Sequence, residues 1–398
     1  MNKYLLCTVI ACYFSLFLSC NESTVYEYDL EEEVLPYVDR VIYGELPAHC
    51  KDSILNPDES NSIVINRALR SFRLKELLQL GINSAGDSIF LRSYSAKPVT
   101  EIDIQIYIPE IKDRILIGYI DSIPAFGEIK FKPAFLMQET IYKGQNHHMV
   151  RIKRDRLTDD MLLSMNSECQ HYKMLKEIKT DWSLGFSNFS WDPANPQSGN
   201  WRELNAMVAR EWIVITTNMG YMLSSSEYKE VIDNFATIFG ADLRGNNKEP
   251  FSKKQYDDFV QNCFKPKNFN LGRTANVGGL GGGATWGVSD WNFYGHYASY
   301  SGWEAITHEL GHCYGYSHDS NLTYPNPSGV SWANCISQLH VYMCKQGRLP
   351  YESREILGTH HSKYDAYRGF VCSPQYMNDQ KTEQLYQTSK VTLYFNNK

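Results

Sequence analysis

Residues 304–319 read Glu-Ala-Ile-Thr-His-Glu-Leu-Gly-His-Cys-Tyr-Gly-Tyr-Ser-His-Asp, which puts three imidazoles and a carboxylate where they could handle a metal ion. On an α-helix His308 and His312, four residues apart, lie about 40° apart in projection and one turn along the axis. Both rings can then reach one ion. Glu309 follows the first ring and points to the open coordination position, where it is placed to take a proton from water rather than to ligate. A helix continued to residue 318 would carry His318 past the metal. Gly315, with a positive φ, can end the helix and swing the third imidazole back. Three neutral nitrogens with one exchangeable position suit a catalytic Zn2+ rather than a structural one. HExxH alone arises by accident in roughly one chain in a hundred of this length, and adding Gly315 and His318 lowers that about a thousandfold further.

The spacing HExxHxxGxxH resembles the metzincin clan of zinc endopeptidases. Val277 to Val288, glycine at six of twelve positions, is similar to the edge-strand region that precedes the metal helix in that clan. The resemblance implies a catalytic domain built of a twisted mixed sheet plus a metal-binding helix, with an edge strand that pairs with the substrate backbone. Glycine permits close approach there, and no Lys-Ser/Thr follows to make a phosphate-binding loop. Asp319 after the third histidine is similar to the adamalysin-like branch, but the rest of the chain does not resemble that branch, so the resemblance stops at the clan. The clan also implies a methionine turn beneath the metal. Met343 falls in a helical stripe with Trp332, Ile336 and Leu339, whereas Met377 has a turn-like context, with Tyr376 beside it for oxyanion stabilisation. An enhancin-like gluzincin would take a glutamate third ligand from the helix Val330 to Lys345. The comparable face carries Ser331 and Asn334, with Glu352 and Glu355 only beyond it, which favours His318.

The elements around the motif divide the chain into unlike halves. From 50 to 155, Ser88–Leu91, Ile102–Ile108, Ile115–Ile120 and Ile129–Phe131 alternate or run apolar between Pro and Gly turns, the texture of an antiparallel β-sandwich. Helical stretches are expected at 66–80 and 159–178. The Pro/Ser/Asn/Gly-rich stretch around 186–200 marks a boundary. Beyond it, Trp212–Thr217 reads as a buried strand, and Ser226 as the cap of a helix ending at Gly240. The expectation is an α+β chain: a β-rich accessory domain at 49–180, a linker at 181–200 and a zinc metallopeptidase domain at 201–398.

Lys3 and the apolar stretch Tyr4–Leu18 have signal-peptide anatomy. Leu18-Ser19-Cys20 resembles a bacterial lipoprotein processing site, which implies a signal at 1–19, an acylated Cys20 and a tether at 20–48. A lipid-anchored protein of a bacterial cell envelope is expected, placed at the outer membrane or cell surface. Its substrate would be a protein or glycoprotein; a non-enzymatic surface binder is the alternative, against which Glu309 argues. The net charge of −6 excludes a typical nucleic-acid binder. Of ten cysteines, seven follow Cys20, so at least one thiol is free. Any disulfides should brace the region after the metal helix, where four of the seven lie. His147-His148 and His360-His361 read as surface pairs, and His296 as a packed residue near the cleft.

Overall fold

Isoleucine at alternate positions builds the first half of the chain. In the computed structural model, which describes residues 24–28, 36–41, 53–293, 300–352 and 380–398, β6 (Val99–Ile108) and β7 (Asp113–Ile123) pair antiparallel with a bulge after Ile104. Ile102, Ile104, Ile106 and Ile108 meet Ile115, Ile117, Ile120 and Ile123 in the core, all fully buried. Period-two alternation puts one face of each strand inward, so this burial drives the pairing. β11 (Leu163–Ser167) and β2 (Asp39–Val41) flank the pair in the order β11-β6-β7-β2, with β2 parallel to β7. Two antiparallel three-stranded sheets accompany it. One joins β4 (Leu78–Ile82), β5 (Ile89–Ser93) and β8 (Glu128–Phe131), the other β1 (Thr24–Tyr28), β10 (Met149–Lys153) and β9 (Thr140–Lys143).

The second half is organised by a mixed sheet of six strands. Its order is β15 (Gly279–Gly282), β16 (Thr285–Ser289), β14 (Lys267–Thr274), β12 (Trp182–Phe186) and β3 (Ser71–Arg73), with β13 (Trp201–Arg202) also on β14. β12, β14 and β16 run parallel, and β15 closes one edge antiparallel to β16. The α+β class expected from the sequence is the class observed. The stretch expected to link two domains holds β12, an interior strand, and β3 joins the same sheet from far upstream.

Helices pack around this sheet. They are α1 (Gln170–Lys176), α2 (Ala206–Ser224), α3 (Ser226–Asp233), α4 (Phe235–Phe239), α5 (Lys253–Phe264), α6 (Tyr300–Cys313), α7 (Trp332–Lys345), α8 (Gln380–Thr388) and α9 (Lys390–Asn396). Trp182, Trp212 and Trp286 are fully buried, with the Trp286 ring edge-on to the other two at 5.8 and 5.2 Å. Trp286 Nε1 donates to the Ile306 carbonyl at 3.1 Å, which ties β16 to α6 and fixes that helix against the sheet.

Several local expectations fail for identifiable reasons. Residues 66–80 form β3 and β4 rather than a helix, because β12 and β5 offer ladder partners that override the helix-forming Leu, Lys and Glu. Of 159–178 only α1 is helical, since β11 pairs with β6. Trp212–Thr217 lies inside α2, every residue of which is buried. A short apolar run has no solvent face, so its period cannot tell strand from buried helix. The cap of α3 is Ser225, whose side chain accepts from Tyr228 N at 3.1 Å, one residue before the serine expected. Gly240 does end α4 in a left-handed conformation. Cys169, Cys263, Cys313, Cys335 and Cys344 are all unpaired, so no disulfide joins them. Cys263, Cys313 and Cys335 are buried and act as small apolar side chains. Cys50 and Cys372 lie outside the described residues.

Candidate active site

α6 carries His308, Glu309 and His312 and ends as its sequence dictates. Tyr314 N donates to the Leu310 carbonyl, Gly315 N to that of His312, and Gly315 takes a φ of +87°. Such a turn reverses the chain without the steric cost a β-carbon would bring. It returns His318 beside the helix. One ligand nitrogen from each of His308, His312 and His318 lies within 4.8 Å of the others.

Two nitrogens bound about 2.0–2.1 Å from a tetrahedral ion stand roughly 3.3–3.4 Å apart. The Nε2 atoms of His308 and His312 are 3.1 Å apart. His312 Nδ1 donates to the Tyr316 carbonyl at 2.7 Å, leaving Nε2 to face the site. Burial pushes His308 down to about 4, against the opposing effect of a hydrogen bond donated to the Thr323 backbone carbonyl, and also lowers His312. Both rings are therefore neutral near pH 7, the form that binds a metal. The donor set fits a zinc ion.

The turn that presents His318 is held from a distant loop. Asn246 Nδ2 donates to the Gly315 carbonyl at 3.0 Å, and its Oδ1 accepts from Ser317 N at 2.7 Å. Ser320 Oγ donates to the Arg244 carbonyl, Thr323 Oγ1 to that of Ser317, and Lys248 pairs with Asp319 at 2.9 Å. The half-exposed Tyr324 ring lies 4.5 Å from that of His308 and 4.6 Å from that of His318. Neither Asn246 nor Tyr324 was singled out from the sequence. Asn246 is about seventy positions from its partners, and no spacing rule connects them.

Glu309 is buried beneath β15, and its Oε1 lies 4.0 Å from His308 Nε2. Burial pushes its carboxyl up to about 7. A dication held beside it would favour the carboxylate and reverse that shift. The glycines of β15 explain how strand and helix approach so closely. A β-carbon at Gly279 would stand 2.5 Å from Glu309 Cγ, and one at Gly281 2.4 Å from the Glu309 carbonyl oxygen. Its resemblance to a substrate-pairing edge strand implies a role toward the peptide, yet the tightest approach of these glycines is to the helix itself. Gly281→Ala must push strand and helix apart, because backbone cannot rotate away as a side chain can. We expect it to cost about 1–3 kcal/mol of stability in urea unfolding. Any cleavage rate should fall by tens of fold, given that a misplacement of 1 Å can cost about a hundredfold. Parental stability and rate together would sink this account of the glycines.

The cleft has a volume of about 820 Å3 and is lined by Val277–Gly281 along one wall and by α6, Thr323–Pro325, Ser331 and Ala333 along the others. Met343 is buried within α7 and is not in a turn. Met377, Tyr376, His296, Glu355 and His360-His361 lie outside the described residues. His147 and His148 are exposed on the β-rich half. Ser331, the N-cap of α7, and Asn334 in its first turn bring no acidic group to the three histidines. Instead Asn334 Nδ2 donates to Glu304 Oε1 at 2.8 Å.

Residues 214–348, about a third of the chain, match the model of a family described as Metallo-peptidase family M12. The match runs from within α2 past the end of α7, and so spans β15, α6 and the turn bearing His318. A metallopeptidase domain is therefore present. No curated protein and no solved structure matched the chain.

Proposed function

We propose that this chain is a zinc-dependent endopeptidase, secreted and lipid-anchored, that cleaves extracellular proteins or glycoproteins. The observation that carries the reading is the convergence of His308, His312 and His318 in a cleft, with the Glu309 carboxylate beside them and a sheet edge along one wall. A zinc ion held by those imidazoles would supply Lewis acidity, acidifying water and polarising a peptide carbonyl.

The remaining work falls to the chain's own groups. β15 pairs only with β16 among the described residues, so its other edge offers backbone N–H and C=O groups to an extended peptide. Pairing of this kind needs no chain terminus, which favours cleavage within a polypeptide. Glu309 accepts the proton of the attacking water and returns it to the leaving amine. Its burial beneath β15 excludes competing solvent and strengthens its interaction with charge that develops in the cleft.

Recombinant residues 21–398, supplied with zinc, should cleave unfolded casein or a peptide library. Chelation should stop the reaction, and added zinc should restore it. One zinc per chain with no cleavage of any unfolded or glycosylated protein would favour a surface-binding role instead.

The anchoring part of the proposal rests on the apolar stretch Tyr4–Leu18 and on Cys20 behind it. Among the described residues no helix is long and apolar enough to cross a membrane. Mass spectrometry of the mature N-terminus tests this: an unmodified Cys20, or an uncleaved leader, would refute acylation there.

A further inference from the structure

The three imidazoles of the site are not held alike. His308 and His312 stand on α6, and each is fixed a second time by donating to a backbone carbonyl, His308 to that of Thr323 and His312 to that of Tyr316. His318 is exposed and stands on the turn beyond the helix, and its ring makes no hydrogen bond among the described residues. Its place follows from that of the turn. One side chain from far upstream clasps that turn. Asn246 Nδ2 donates to the Gly315 carbonyl and its Oδ1 accepts from Ser317 N, so the amide brackets Tyr316. The bracketed carbonyl is the one that accepts from His312 Nδ1. The Ser317 carbonyl in turn accepts from Thr323 Oγ1 at 2.7 Å, and the Thr323 carbonyl accepts from His308. Asn246 therefore reaches every donor of the site: His312 through Tyr316, His318 through Ser317, and His308 through Thr323. The loop that carries it has a firm base. Leu243 and Phe251 are buried, Phe251 N donates to the Leu243 carbonyl at 2.7 Å, and Arg244 and Pro250 form a β-bridge. Asn246 does not line the cleft, so it acts on the site through the turn alone.

We propose that Asn246 is a positioning residue that preorganises the three imidazoles and so sets the zinc affinity of the site. This rests on the zinc reading above and adds to it a residue outside the motif. Donors that must be gathered when the ion arrives lose conformational freedom at that moment, which weakens binding; donors gathered beforehand do not. A bound ion can still pull a loosened turn into place. Loss of the amide therefore weakens zinc binding without changing the ligands around the metal. Loss of an outer partner of a metal-bound histidine typically costs about 10–100-fold in affinity. Asn246 belongs at the lower end, because it is exposed and water replaces part of what it supplies.

The test measures zinc Kd by competition with a chromophoric chelator for the parental chain, Asn246→Ala and Asn247→Ala. Asn247 is the control, since it is exposed in the same loop and its Oδ1 accepts from Glu249 N rather than from the turn. Asn246→Ala should raise Kd about tenfold, whereas Asn247→Ala should stay within about twofold, as surface substitutions do. Saturated with cobalt, whose visible spectrum reports ligand type and geometry, Asn246→Ala should match the parental chain. Equal Kd values for Asn246→Ala and the parental chain overturn the proposal. An equal loss in both variants does so too, because it traces the effect to the loop at large. An altered cobalt spectrum also overturns it, because the donor set would then differ. If Asn246→Ala does not fold, Asn246→Asp decides, since it keeps the acceptor for Ser317 N and lacks the donor to Gly315. A Kd several-fold above parental would keep the assignment, and a parental Kd would end it. A parental chain that binds no zinc ends the metal reading itself, and this inference with it.

Discussion

Glu309→Ala is expected to lower kcat/KM on a cleaved peptide by about 10²–10⁴-fold, the range contributed by a positioned general base, while zinc stays bound at one per chain. The two effects should separate because the group that could hold the ion consists of the three imidazoles and does not include the carboxylate. Removing the side chain also relieves its contact with the glycines of β15, so the fold should not suffer from strain. It leaves a buried gap instead, at a cost small beside the catalytic loss. Zinc content measured alongside kinetics decides the matter. Parental cleavage by the alanine variant would mean that some other group moves the proton, and joint loss of zinc and activity would mean that Glu309 is a ligand.

His308→Ala should do what Glu309→Ala does not. Loss of an outer partner of a metal-bound histidine typically costs about 10–100-fold in metal affinity, and loss of one of three ligands should exceed that. The expected result is a fall of more than about a hundredfold in zinc affinity, read by competition with a chromophoric chelator, with peptidase activity lost in parallel. Thermal unfolding gives a second readout. At a free zinc concentration a hundred times Kd, the parental protein gains about 2.7 kcal/mol, and the variant at the same concentration should gain little. Equal zinc stabilisation of the two chains would show that the ion binds elsewhere.

The contrast between these variants reflects how much of the site lies within one short segment. His308, Glu309 and His312 are legible in the sequence because a helix converts a spacing of four into a shared face, whatever surrounds it. Gly315 is legible for a similar reason: a positive φ next to a helix end is a local demand that glycine meets. The strands of the first half can be read from alternation, since β6 and β7 bury one face each.

What could not be read is whatever depends on a partner distant in sequence. Residues 66–80 favour a helix locally, and only β12 and β5 make them strands. The run within α2 lacks a solvent face, so its pattern carries no period. Asn246, which holds the turn bearing His318, and Asn334, which holds Glu304, come from a loop and a helix that no spacing joins to the motif. Gly279 and Gly281 were visible as glycines, but the atoms of Glu309 that exclude a β-carbon appear only once β15 lies against α6. The three histidines, the carboxylate beside the first of them and the glycine bend could all be read locally, because they lie within a turn or two of backbone. The strand that covers the Glu309 carboxylate and the Asn246 contacts that hold the turn bearing His318 became visible in the folded chain alone, because hydrogen bonds and excluded volume act across space and not along the chain.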